Sequence, residues 1–495
     1  MTVVGFVSLV ICAITLVHFY LWRRLIGSTT RPGRTRRVLT WALVALAVLA
    51  PVTLVASRSE WGHFLAWPGF FWIAVMFYLF VFLVILEIPR GVALLVLRWT
   101  ERRAEGRPVS PDAADARGKR TAFMAAQPVP AARSVPAARS VPAVRSDVAD
   151  RSDVADRSDV DGRSDVDGRP GFEAGSGRRA EASSKPGTEI GGVIVVPGAG
   201  DARRDGGFPG GSYGPAGMSR RLFIARTAAV AAGAGALGTV GFGVRTALGD
   251  PVIEPVKVVL PRLDPRLSGL RFAVVSDIHL GPLTGTEHAR RLVRMINSLE
   301  ADVVAVVGDL VDGTVAELGS LAVPLKDLES RYGAYFVTGN HEYYTANGPQ
   351  EWIEELRGLG IRPLGNERVE IAHRGAVLDL AGVNDLGGVV SGDGPDFERA
   401  LGGRDRSRST VLLAHQPVQA VQAATYGVDL QLSGHTHGGQ MVPFNLVIPM
   451  QQPVVSGLGE VDGTQVYVTR GAGFWGPPVR VGAPPEITLL EVRNE

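Results

Sequence analysis

Apolar positions divide the chain into three unequal parts. Long unbroken runs fill the first hundred residues. Short runs alternate with polar turns over residues 251–495, and almost no apolar clustering occurs between the two. Val3 to Trp22 is apolar apart from Ser8, Thr15 and His18, enough to cross roughly 30 Å as a helix. Val38 to Ala56 is a second run, and Phe64 to Leu86 a third, with Trp61 and Trp67 where interfacial aromatics belong. The first run lacks a basic leader and is followed by further spans, so it reads as a retained helix rather than a signal peptide. Residues 1–100 are therefore expected to form a three-span membrane domain.

Arginine placement sets an orientation. The loop after the first span carries Arg23, Arg24, Arg31, Arg34, Arg36 and Arg37, whereas the loop after the second has only Arg58, with Glu60 nearby. The positive-inside rule puts the first loop in the cytoplasm and the second outside. Arg90, Arg98, Arg102 and Arg103 follow the third span, which accordingly ends inside.

Residues 101–218 read as a disordered linker. From Val129 a hexad repeats as VPAARS, VPAARS, VPAVRS, DVADRS, DVADRS, DVDGRS and DVDGRP. Such small, polar and Pro- or Gly-containing units cannot bury enough surface to offset chain entropy. A fourth apolar segment, within residues 219–250, follows Ser219-Arg220-Arg221-Leu222-Phe223-Ile224. That run resembles a twin-arginine export motif, with Ala225 in place of the usual Lys and an internal position in the chain. Read as an export signal or as a plain fourth span, the segment leaves residues 251–495 outside the cell.

In that last block, strand-like and helix-like segments alternate, an α/β pattern with a β-rich ending. Phe272–Ser276, Val303–Val307, Ala334–Thr338, Val411–Ala414 and Val428–Leu432 read as strands, and helices are expected after Thr286 and over Pro349–Leu359. Each strand is followed by chemistry-bearing residues. They are Asp277-Ile-His279; Gly308-Asp309-Leu-Val-Asp312; Gly339-Asn340-His341-Glu342; His415; and Gly434-His435-Thr436-His437. Ligands gather at the carboxyl ends of strands in α/β sheets.

Composition sharpens this picture. The chain has 495 residues, a formal net charge of +2 and one cysteine, Cys12, inside the first apolar run. A nucleic-acid binder is not expected from that balance, and a disulfide scaffold or Cys-based zinc site is excluded from the last block. Five of the nine histidines lie in the five motifs. Asp, His and Asn together form an N/O ligand set suited to Mn, Fe or Zn. The set exceeds what one ion needs, and two ions sharing a carboxylate are a recurrent device for hydrolysing phosphate esters. The remaining histidines, His288 and His373, are expected at the surface, and His18 and His63 at the membrane interface. Tyr343 and Tyr344 suit either pocket lining or core packing. Phe474-Trp475 suits a structural loop better than an apolar lip beside the site.

The five motifs in this order, with Gly434-His-Thr-His-Gly-Gly-Gln440, Arg480 and Pro485-Glu486-Ile487, resemble the calcineurin-like metallophosphoesterases, in particular a membrane-anchored bacterial branch. Glu342 stands where many relatives have Asp. The resemblance implies a four-layer α/β/β/α sandwich and a site with two divalent metal ions. Asp277, His279 and His437 would hold one ion, and Asn340, His415 and His435 the other. Asp309 would bridge them. His341 would be the catalytic proton donor rather than a ligand, and Asp312 would orient a histidine or fix its loop. The expected protein is a multi-pass membrane phosphoesterase with an extracytoplasmic catalytic domain, acting on a lipid- or envelope-derived phosphate ester. The other class weighed is a non-catalytic sensor that binds phosphate ligands and signals through its spans.

Overall fold

The computed structural model describes residues 3–57, 62–105 and 219–495. The hexad repeats and Trp61 lie outside them.

Among the described residues, four helices are long and apolar enough to cross a membrane. They are α1 (Val3–Leu21), α2 (Arg34–Ala56), α3 (His63–Glu105) and α4 (Arg220–Leu248). Helix α3 runs beyond the expected Leu86, through Pro89. An interior proline removes one backbone hydrogen bond, and the apolar run Val92–Leu97 beyond it continues the helix. Helix α4 begins earlier than its apolar run because Ser219 caps it, accepting a hydrogen bond from Leu222 N. Small residues bring the helices close. Ala232, Ala236 and Val240 of α4 pack with Leu43, Ala74, Tyr78 and Leu83, and a side chain at Gly69 would overlap Thr53. His18, expected at the interface, is buried in this bundle, where its Nε2 accepts a hydrogen bond from Trp72 Nε1.

Residues 251–495 fold around two six-stranded sheets. The strands are β1 (Val252–Val259), β2 (Leu270–Val275), β3 (Val303–Val307), β4 (Ala334–Val337), β5 (Ile361–Pro363), β6 (Glu367–His373), β7 (Ala376–Gly382), β8 (Thr410–Leu413), β9 (Leu430–Ser433), β10 (Gly457–Val461), β11 (Thr464–Val468) and β12 (Glu486–Arg493). The first sheet has the order β1-β12-β2-β3-β4-β5 and the second β10-β11-β9-β8-β7-β6. Strands β2 to β5 run parallel, as do β7, β8, β9 and β11.

Alternate residues of both sheets, among them Phe272, Val274, Leu378, Leu380, Val411 and Leu432, meet in one core. The opposite face of the first sheet packs on α5 (Gly285–Asn297), α6 (Val315–Ala322) and α7 (Gln350–Gly358) through residues such as Leu292, Ile296, Leu318 and Trp352. The outer face of the second meets α8 (Phe397–Leu401) and α9 (Ala420–Thr425). This is the four-layer α/β/β/α sandwich. His288 and His373 are buried, not surface residues. His288 falls four positions before Leu292, on the inward face of α5, and His373 Nδ1 is hydrogen-bonded to Tyr332 Oη at 2.8 Å.

Candidate metal centre

The parallel strands β2, β3 and β4 of one sheet and β8 and β9 of the other end side by side. Their loops bring all five motifs together. Asp277, His279 and His437 have ligand atoms within 4.8 Å of one another, and so do Asp309, His415 and His435. In the first group, His279 Nε2 lies 3.1 Å from His437 Nε2, which lies 3.2 Å from Asp277 Oδ1. In the second, His415 Nε2 lies 3.2 Å from Asp309 Oδ2. The same Asp309 oxygen is 3.9 Å from His279 Nε2, so this carboxylate stands between the groups. Donors about 2.1 Å from a shared ion lie about 3 Å apart, the spacing seen here.

The backbone is bent to achieve this. Asp277, His279, Asp309, His435 and His437 all adopt positive φ, between 47° and 71°. Each such residue costs on the order of 1–3 kcal/mol, which the surrounding fold must offset. Gly339 and Gly434 permit the crowding, since a Cβ at either would overlap the carboxylate of Asp309 or Asp277. Backbone N–H groups fix both carboxylates: His341 N donates to Asp309 Oδ1 at 2.9 Å, and His435 N donates to Asp277.

Two buried atoms of these motifs lack hydrogen-bond partners. Asn340 Oδ1 and His415 Nε2 are buried without a hydrogen-bond partner. His415 donates through Nδ1 to Val307 O at 2.8 Å, which leaves Nε2 as the bare nitrogen. Unpaired buried acceptors are costly in a native protein, and a cation would satisfy them. The donor set therefore fits divalent metal.

Asp312, outside these two groups, joins two histidines. Its Oδ1 lies 2.8 Å from His279 Nδ1 and 2.7 Å from His341 Nδ1. Both rings therefore carry their proton on Nδ1, and His279 presents Nε2 to the site. His279, Asp312 and His341 also cluster tightly enough to suggest a third ion, but the two hydrogen bonds already use the shared oxygen. Burial alone would lower the His341 pKa. The Asp309 and Asp312 carboxylates outweigh it and raise the group to about 9. Burial, followed by the Arg480 guanidinium, keeps His437 neutral, and burial with the nearby His415 brings His435 down to about 3. Neutral imidazoles are the form that binds metal; against its own burial, the Asp309 carboxylate holds His415 well above the usual histidine range.

Two residues outside the expected ligand set hold this centre in place. Glu342 is fully buried and accepts hydrogen bonds from Asp309 N, Leu310 N and Gly339 N at 2.7–3.1 Å, tying the loop after β3 to the loop after β4. Arg480, also fully buried, donates to the carbonyls of Gly473, Arg470 and His437 and lies 3.0 Å from His437 Nδ1. Both stand in the motifs read from the sequence, but only packing across the fold reveals these contacts. The aromatics divide. Tyr343 is turned away, donating to Asp393. Tyr344 and Trp475 flank His341, with ring centroids 5.2 and 6.4 Å from it. Phe474 is buried. The Trp475 segment therefore does form a lip beside the site.

Comparison with known proteins identifies the family. Residues 270–439 match the family model described as calcineurin-like phosphoesterase. A Bos taurus transmembrane protein with metallophosphoesterase domain is 42% identical over 260 residues, covering 50% of this chain and 58% of that one. The uncharacterized metallophosphoesterase YkuE of Bacillus subtilis is 30% identical over 289 residues, 56% of this chain and 98% of YkuE. An uncharacterized metallophosphoesterase of Aquifex aeolicus is 32% identical over 235 residues, 47% of this chain and 88% of the relative. The chain matches only about three-fifths of the length of its vertebrate relatives (58% and 60%).

Proposed function

The chain belongs to the calcineurin-like metallophosphoesterases, and from that premise we propose that it is a membrane-anchored dimetal hydrolase of phosphate mono- or diesters, working at the outer face of the membrane. The observation that carries this reading is the pair of ligand groups meeting at Asp309. Asp277, His279 and His437 would hold one ion, Asn340, His415 and His435 the other, and Asp309 would serve both. When bound, divalent ions of the Mn, Fe or Zn type would supply Lewis-acid charge at phosphorus and lower the pKa of a water nucleophile. His341 is charged at neutral pH and held by Asp312, so it donates a proton to the departing ester oxygen. Asp312 keeps both neighbouring imidazoles in the required tautomer.

A phosphate-binding sensor would need the same pocket but neither a complete ligand set nor a charged, positioned His341. The presence of both favours hydrolysis. The outer-face location and an envelope-derived ester rest on the arginine distribution and the helix packing. Arg226 Nε donates to Thr29 O, which places the start of α4 beside the arginine-rich loop after α1. The sandwich leaves from the other end of α4.

The test uses the full chain in detergent. Chelation is expected to abolish hydrolysis of aryl phosphates and Mn²⁺ to restore it. Asp309→Ala is expected to lose nearly all metal by elemental analysis, because its carboxylate serves both ions. Wild-type metal content and rate in Asp309→Ala would overturn the dimetal reading.

A further inference from the structure

The mouth of the metal centre is apolar on one side, and that side adjoins the membrane helices. Segments 440–447 and 475–482 are bound to each other: Gln440 Nε2 donates to Trp475 O, Trp475 N donates to Gln440 Oε1, and Val442 N donates to Val481 O. Both segments also touch the bundle. Arg480 N donates to Gly243 O of α4 at 3.0 Å, and a side chain at Gly243 would collide with Val479 and Val481. Val479, Val481 and Met441 pack into the same cluster as Ala236, Val240 and Tyr78. Gly476 lies against the ring of Phe70 in α3.

These contacts fix a depth. Gly243 lies five positions before the end of α4 and Phe70 seven after the start of α3. At 1.5 Å per residue the loops therefore reach about 7–10 Å below the helix ends. That is the layer in which head groups give way to acyl chains. The composition matches such a place. Between His437 and Glu460 no residue is charged. From Gly471 to Pro485 the only charge is Arg480, which is buried. The residues pointing outward are large and apolar: Phe444, Val447, Leu446 at 74% exposure, Met450 at 82% and Trp475 at 53%. An apolar patch of this kind on a soluble surface marks an interaction site.

We propose that the lip formed by Val442–Met450 and Trp475 is a bilayer-docking surface, seated in the membrane that the four helices span. Its occupant is lipid, because the patch is continuous with the bundle and carries no charge to pair with a protein partner. A corollary, which rests on the phosphoesterase reading above, follows from Trp475 flanking His341. The site opens onto the bilayer and takes a phosphate ester whose organic group stays in the lipid.

The experiment uses the full chain in vesicles of phosphatidylethanolamine and phosphatidylglycerol. With Cys12→Ser as background, a single cysteine at Leu446, Met450 or Glu460 carries an environment-sensitive fluorophore. Labels at 446 and 450 are expected to emit as in a nonpolar medium and to be quenched by acyl chains brominated near the head group. The label at 460 is expected to respond only to aqueous iodide. Iodide quenching at 446 and 450 equal to that at 460 would overturn the proposal. So would labels shielded from both quenchers, since a second copy of the chain or another protein would then cover the patch. The corollary is read separately, by comparing Leu446→Asp/Met450→Asp with wild type. Its rate on dioleoyl phosphatidic acid in vesicles is expected to fall about tenfold further than its rate on p-nitrophenyl phosphate, one buried apolar side chain's worth of lost anchoring. Equal losses on the two substrates would overturn the lipid-ester corollary. No hydrolysis of either by wild type would overturn the phosphoesterase reading while leaving the fluorescence result to decide the docking surface.

Discussion

At the scale of single residues, one oxygen does two jobs. Asp312 Oδ1 accepts from His279 and His341, so it orients a proposed metal ligand and sustains the charge of a proposed acid. His341→Ala is expected to retain both metals and lose on the order of 10²–10⁴-fold in kcat, less on substrates with good leaving groups. Metal loss on that substitution would refute the assignment. Asp312→Asn separates charge from position. The amide oxygen can still accept from both rings, but the carboxylate charge that helps raise His341 to about 9 is gone. A general acid works while protonated, so its rate falls as pH rises through its pKa. The descending limb of kcat against pH is expected to move to lower pH in Asp312→Asn, each unit costing about tenfold at pH above both limbs. An unmoved limb would mean that Asp312 acts only as a spacer. The proposed ligands could be read from sequence because each follows a strand-like run. Glu342 and Arg480 could be seen but not understood, because their partners lie 32–43 positions or only a few residues away across bent loops.

At the scale of elements, the site hangs from five parallel strand ends, and Glu342 connects two of them. The loops after β3 and β4 each place a donor at Asp309 N, Leu310 N or Gly339 N that no other group satisfies. Glu342→Ala would leave these donors buried and unpaired, at an expected cost on the order of 3–5 kcal/mol. Glu342→Gln keeps the shape and an acceptor oxygen and should lose less. Pulse proteolysis of the two variants in detergent checks both, and a loss under about 1 kcal/mol for Glu342→Ala would show that water replaces the carboxylate. The hydrophobic pattern located β2, β3, β4, β8 and β9, whose buried runs are nearly continuous. It did not resolve β10 or β12. Strand β10 alternates exposed and half-buried positions at a sheet edge, and β12 joins its sheet only from the far end of the chain. The misplacement of His288 had a visible remedy, because its spacing from Leu292 and Ile296 is the helical one.

At the scale of the whole chain, the contacts sort the loops onto two sides of the bundle. Arg226 reaches Thr29, and Arg24 pairs with Glu87 at 2.6 Å beside Arg90, so the arginine-rich turn after α1, the later half of α3 and the start of α4 share one end. Phe70, near the start of α3, and Gly243, near the end of α4, both meet the sandwich, so the catalytic domain shares the other end with the turn between α2 and α3. The sequence joining α2 to α3 has one arginine, Arg58, and the last turn of α4 has one, Arg245. Positive charge stays on the cytoplasmic side of a membrane, and the expectation is that residues 251–495 lie outside while residues 101–218 lie inside. Protease treatment of intact protoplasts measures this directly. A tag at the C-terminus should be lost and a tag within the hexad repeats should survive until the membrane is opened. The reverse pattern would place the sandwich in the cytoplasm. The lip would still face lipid, because its contacts with α3 and α4 are indifferent to sidedness, but the phosphate esters within reach would then be those of the inner leaflet.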